Sequence, residues 1–221
     1  MMTFPLDVGR RMARCGAALG VVALLATASP ASATVIFADS FDSNLPGGLS
    51  PGNLGLNITP TGWTAVGGSV DIVGTGSFPQ LCAGGPSPFR CIDLDGSSNN
   101  AADLQTTISI PVAGSYLLSF SLQPNDRGFP VDNMTVSFGS FSELFSLASL
   151  GAGADSWALY QRSVVFASAG LETLSFNHAG GDNAGILLDN VQVETIVPEP
   201  GTLLLIGAGL TGLALRLRRS K

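Results

Sequence analysis

The sequence predicts an all-β fold: an antiparallel β-sandwich, or jelly roll, of about nine strands. Three observations carry this. Between residues 34 and 197 no amphipathic helical run occurs. In its place, short alternating segments recur between Gly, Pro, Asn and Asp punctuation. And in Tyr116, Leu118, Phe120 and Leu122 the large apolar residues share one parity while Ser119 and Ser121 take the other, the mark of a half-buried strand. The clearest segments are 35–41, 69–73, 104–110, 116–122, 134–138, 141–147, 159–166, 171–176 and 186–193. The stretch that holds them has the size of one domain.

Charge divides the 221 residues into three. Residues 34–197 carry fourteen acids against Arg90, Arg127 and Arg162, whereas both termini are net basic. A domain this acidic excludes ordinary nucleic-acid binding, which needs basic surface against phosphates. His178 is the only histidine, so neither a multi-histidine metal site nor a Ser-His-Asp hydrolase is expected. It follows a strand segment and precedes Gly180-Gly181-Asp182, and reads as a surface residue at a strand end.

Residues 1–33 read as a secretory signal. Arg10, Arg11 and Arg14 precede an uncharged, largely apolar run from Gly16 to Ala28, and Ala31-Ser32-Ala33 offers the small residues signal peptidase needs. The apolar run is too short for a comfortable membrane span. Cleavage is expected after Ala33, by the general route rather than the twin-arginine one, and Cys15 leaves with the signal.

The carboxyl terminus carries a second address. Pro200 and Gly201 break the chain, Thr202 to Leu215 is free of charge, and Arg216, Arg218, Arg219 and Lys221 follow. Fourteen helical residues reach roughly 21 Å, short of a hydrocarbon core of about 30 Å. Snorkelling side chains and local thinning still permit a short membrane helix at 202–215. The basic tail, 216–221, then stays cytoplasmic and the acidic domain lies outside. Gly207, Gly209 and Gly212 match a dinucleotide-binding spacing, but no acidic residue follows, so the pattern is a set of small residues in a membrane helix.

Val197-Pro198-Glu199-Pro200, an apolar helix and an Arg-rich end together resemble the PEP-CTERM sorting signal, spanning residues 197–221. That signal marks exported proteins of Gram-negative bacteria that make exopolysaccharide. The resemblance implies processing by an exosortase, a membrane cysteine protease, near residues 197–200. The motif is then a substrate, and the catalysis belongs to the partner.

Within residues 34–196, Gly62-Trp63-Thr64, Val70-Asp71-Ile72-Val73, Ile92-Asp93-Leu94-Asp95-Gly96, the strand at 116–120 and Leu187-Leu188-Asp189-Asn190-Val191-Gln192-Val193 resemble galactose-binding-like jelly-roll modules. Carbohydrate-binding modules belong to that group. The sequence departs from it in offering no evident set of exposed aromatics as a sugar platform, and core packing accounts best for Trp63 and Trp157.

Many jelly rolls of this kind hold a structural Ca²⁺ between first and last strands. Asp39 shares parity with Phe37 and Phe41, and Asp189 with Leu187, Val191 and Val193. If the apolar residues face the core, both carboxylates do too, and a buried carboxylate needs a cation, a pair or hydrogen bonds. Calcium held by Asp39 and Asp189 is therefore the cofactor expected. The alternative is a bulge that turns one Asp away, or backbone amides that satisfy it. Asp93-Leu94-Asp95-Gly96 starts like a calcium loop but has its glycine too early and Leu104 where an EF-hand needs Glu. It reads as a strand ending in an Asp-Gly turn.

With the signal removed, Cys82 and Cys91 remain, flanking a loop-like stretch. In an oxidising compartment they are expected to pair as a disulfide. Carboxylates abound, but none pairs distinctively enough to mark a glycosidase dyad. Three functions compete. The leading one is a non-catalytic, exosortase-sorted surface or matrix protein, with extracellular polysaccharide as its expected ligand. The others are a secreted carbohydrate-active enzyme, and an adhesion or protein-interaction module.

Overall fold

Period-two alternation becomes sheet geometry directly. β5 (Asp103–Ile110) and β7 (Asn133–Phe138) alternate buried and more exposed residues along their whole length, so each turns one face to water and one to a core. The structure, a computed structural model, describes residues 32–43, 46, 53–82, 85–86, 89–124, 132–146, 150, 156–196, 209 and 216. It divides into a unit Ala33–Ile196 and a unit made of Met1–Ser32 with Val197–Lys221. The strands all lie in the first.

That unit is all-β. Besides β5 and β7 it contains β1 (Val35–Asp39), β2 (Thr64–Val66), β3 (Asp71–Gly74), β4 (Arg90–Asp93), β6 (Gly114–Gln123), β8 (Phe141–Ser146), β9 (Ala158–Phe166), β10 (Gly170–His178) and β11 (Leu187–Thr195), with one short helix, α1 (Pro79–Cys82). One sheet runs β3-β4-β11-β6-β9, with β1 also paired to β11. The other runs β2-β5-β10-β7-β8. Every named pairing is antiparallel. Each of the nine expected segments contains a strand; β2 and β4 are additional. β2 has three residues and β4 is buried throughout, so neither shows an alternation to read.

Side chains from both inner faces make the main core. In the first sheet Ile72, Ile92, Leu188 and Leu122 stand side by side on four successive strands, all fully buried. From the second sheet come Leu104, Phe176, Val136 and Phe138. Aromatic rings meet edge to face across the gap, Phe120 with Phe176 at 5.4 Å and Phe138 with Phe166 at 4.9 Å. Such pairs add about 0.5–1.5 kcal/mol beyond their burial.

At one side of the sandwich the edge strands β8 and β9 would leave this core open. Arg162 on β9 closes it. Its Nε and Nη2 donate to the two carboxylate oxygens of Glu143 on β8, at 2.5 and 2.6 Å. Its guanidinium lies 5.8 Å from the Phe145 ring and 5.9 Å from the Tyr160 ring. A charged pair at an edge also discourages a further strand from adding there.

A second, smaller cluster covers the other face of the first sheet. Val73, Leu81, Cys82, Cys91 and Leu187 form it, with Leu54 and Trp157 packed against it. A bulge in β11 separates the residues that face this cluster from those that face the main core. Asp189 faces Ser121 while Gln192 faces Ser119, so β11 carries one extra residue there, and Asn190 takes φ 49° at the bulge. Before the bulge Leu187 points to the small cluster; after it Val191 and Val193 point to the main core.

Candidate functional site

The bulge decides where Asp189 goes. It shares the face of Leu187, beneath the small cluster, and is fully buried. Asp39, by contrast, pairs with Val191 and faces the main core. The two carboxylates therefore lie on opposite faces of one sheet, and the structure does not bring them together as the shared parity predicted. An extra backbone residue inverts parity, and no sequence pattern announced it.

Each carboxylate has local partners. Asp39 Oδ2 accepts the indole N–H of Trp63 at 2.8 Å, and its Oδ1 accepts the N–H of Phe41 at 2.7 Å. Asp189 Oδ1 accepts the N–H of Asn190 at 2.6 Å. Trp63 is thereby explained as a core residue, packed with Phe37, Phe41 and Phe176. Trp157 lines the small cluster.

Cys82 and Cys91 form a disulfide between α1 and β4. It pins the segment after β3 onto the sheet, where both cysteines are buried with Val73 and Leu187. The same segment carries Phe78 and Phe89, exposed at 37 % and 47 %. These two aromatics gave no signal in the sequence, because neither sits in an alternating strand.

His178 is not a surface residue. It ends β10 at 3 % exposure, capped by the segment that returns to β11. Gly180 N–H lies 3.1 Å from its Nδ1 and Ile186 N–H 3.3 Å from its Nε2. Burial pushes the imidazole down to about 4, with Asp182 opposing, so the ring is neutral at pH 7. The Asp93-Leu94-Asp95-Gly96 stretch does end a strand in a turn. Asp93 Oδ1 accepts N–H groups from Asp95 and Gly185, at 3.1 and 2.7 Å. Gly185 has to be glycine: a Cβ there would come within 2.3 Å of the Asp95 nitrogen.

The sorting residues Val197, Pro198, Glu199 and Pro200 lie outside the described residues, as does the signal peptide except its last two positions. Of the expected helix and tail, Gly209 and Arg216 are described and are helical. Among the described residues no helix is long and apolar enough to cross a membrane.

Comparison with known proteins gives three results. Residues 197–219 match the PEP-CTERM protein-sorting motif. No curated protein matches the chain by sequence. Solved structures similar to it include carbohydrate-binding jelly-roll domains. One is the CBM22-1 xylan-binding domain of Xyn10C from Paenibacillus barcinonensis, at 14 % identity and TM-score 0.46, covering 77 % of this chain and 99 % of that one. TmCBM61 in complex with β-1,4-galactotriose is 15 % identical at TM-score 0.47, covering 62 % and 90 %. The K1 cleaved adhesin domain of Lys-gingipain from Porphyromonas gingivalis is 11 % identical at TM-score 0.48, covering 76 % and 100 %. The fold assignment itself stands on the two antiparallel sheets.

Proposed function

We propose that this chain is an exported surface or matrix protein, processed at its carboxyl end by an exosortase, whose sandwich binds extracellular polysaccharide without catalysing a reaction on it. The sorting motif at residues 197–219 carries the reading. It makes residues 197–200 a substrate for a membrane protease, and it requires an export signal upstream, which residues 1–33 supply. An acidic domain between two basic ends fits delivery outside, with the basic tail held back.

The sugar-binding part rests on Phe78 and Phe89. Large aromatics cost free energy when left in water, and a pyranose ring stacks on an aromatic face. Both flank the disulfide-bonded stretch, Phe78 just before α1 and Phe89 just before β4. The experiment is a glycan-binding screen with the unaltered protein and with Phe78→Ala and Phe89→Ala. Polysaccharide binding that drops at least tenfold in either variant supports the reading. Binding to no glycan, or binding indifferent to both variants, removes this platform and leaves the adhesion reading.

A further inference from the structure

Three buried side chains from distant parts of the sequence converge at the end of the sandwich where β4 and β10 stop and β7 begins. They are Asp95, Asp132 and His178, at 0 %, 2 % and 3 % exposure. One ligand atom from each lies within 4.8 Å of the other two. We infer that these three residues bind a divalent first-row transition ion, a site separate from the Phe78 and Phe89 segment and independent of sugar binding.

The donor set is one imidazole nitrogen and two carboxylates. Nitrogen with oxygen suits Zn²⁺ and its first-row neighbours, whereas Ca²⁺ prefers oxygen alone. His178 Nε2 lies 3.8 Å from Asp132 Oδ1. That is too long for a hydrogen bond. It is the separation that two donors, each about 2.1 Å from one ion, span at an open angle. A divalent ion placed between two carboxylates attracts both, which suits this donor set.

A backbone N–H orients one of the ligands as an outer shell does. Asp95 Oδ2 accepts the N–H of Asp182 at 3.2 Å, which helps to fix the carboxylate. The same returning segment sends Gly180 N–H to Nδ1 and Ile186 N–H to Nε2 of His178. A neutral imidazole has one in-plane lone pair for these two donors, so the ring proton opposes one of them. A metal on Nε2 displaces the Ile186 contact and requires the ring proton on Nδ1, which gives up the Gly180 contact as well. The bound state is therefore marked by its tautomer, with the metal on Nε2 and the proton on Nδ1.

His178 is the only histidine of the 221 residues, so every imidazole resonance of the full chain belongs to it. The experiment adds Zn²⁺, and separately Ca²⁺, to the full chain and reads the imidazole ¹⁵N resonances and the Tm. The expected result is one equivalent of Zn²⁺ shifting Nε2 to a metal-bound position with the proton on Nδ1, a Tm that rises with Zn²⁺ concentration, and no response to Ca²⁺. His178→Gln should abolish the Tm response, and Asp132→Asn should weaken it at least tenfold. Unmoved ¹⁵N resonances at saturating Zn²⁺ would overturn the site. So would an equal Tm rise in His178→Gln, which would assign it to surface carboxylates. Should a variant fail to fold, the resonances of the unaltered chain decide alone.

Discussion

Asp39 and Trp63 show how one buried acid is accommodated. The carboxylate replaces water with an indole N–H and a backbone N–H, at 2.8 and 2.7 Å. Trp63→Phe keeps most of the ring area but deletes one donor, leaving a buried oxygen short of a partner. It should lower stability by about 1–3 kcal/mol, measured by urea unfolding. The Arg162–Glu143 pair is the second test at this scale. The hydrogen bond from Arg162 holds the Glu143 carboxyl below its usual range, opposed by burial and aided to a lesser extent by the Arg162 charge. A depressed carboxylate stabilises the fold above its ordinary pKa, and the gain is lost as pH falls through the folded value. Stability should therefore fall more steeply below pH 4.5 in the unaltered protein than in Glu143→Gln. Equal slopes would mean that the pair adds nothing.

The β7–β8 hairpin turns on two residues, Gly139 and Ser140. Gly139 has φ 58°, and a Cβ there would approach Phe166 to 2.5 Å. Backbone and space thus demand glycine together, as a primed two-residue turn with glycine first requires. Gly139→Ala should cost about 1–3 kcal/mol in thermal unfolding. The disulfide acts on a different element. It closes a loop of sequence separation 9, and chain entropy puts its contribution near 2–3 kcal/mol. Cys82→Ala/Cys91→Ala should lower Tm accordingly and loosen the segment with Phe78 and Phe89. A Tm unchanged by the double substitution would show that the small apolar cluster holds that segment unaided. Nine of the eleven strands fell within legible segments, and β5 and β7 show the plainest reason: a half-buried strand writes its burial into alternate residues. β4 was legible only by its Asp-Gly end, since a strand buried on both faces has no alternation to display.

At the scale of the whole molecule the addresses and the sandwich make separate predictions. Protein recovered from the surface of a host with the matching exosortase should begin at Thr34 and lack the helix at 202–215. Intact-mass measurement checks this, and a species that keeps both Met1 and Lys221 would end the sorting account. The recovered sandwich should still unfold cooperatively, because both of its apolar clusters lie within Ala33–Ile196.

Sequence by itself determined the local and the linear: a carboxyl-terminal sorting motif, a strand content, a cysteine pair and an acidic middle. Each is written in neighbouring residues, where composition and period act directly. Tertiary structure decided what depends on distant partners. A single extra residue in β11 put Asp189 on the face opposite Asp39. Antiparallel pairing brought Asp95, Asp132 and His178 within 4.8 Å of one another, although long stretches of chain separate them. His178 looked exposed because strand ends usually are; a returning segment of some eight residues buried it. Sheet folds make their sites from contacts between strands far apart in sequence, and such contacts leave no periodic trace in any one segment.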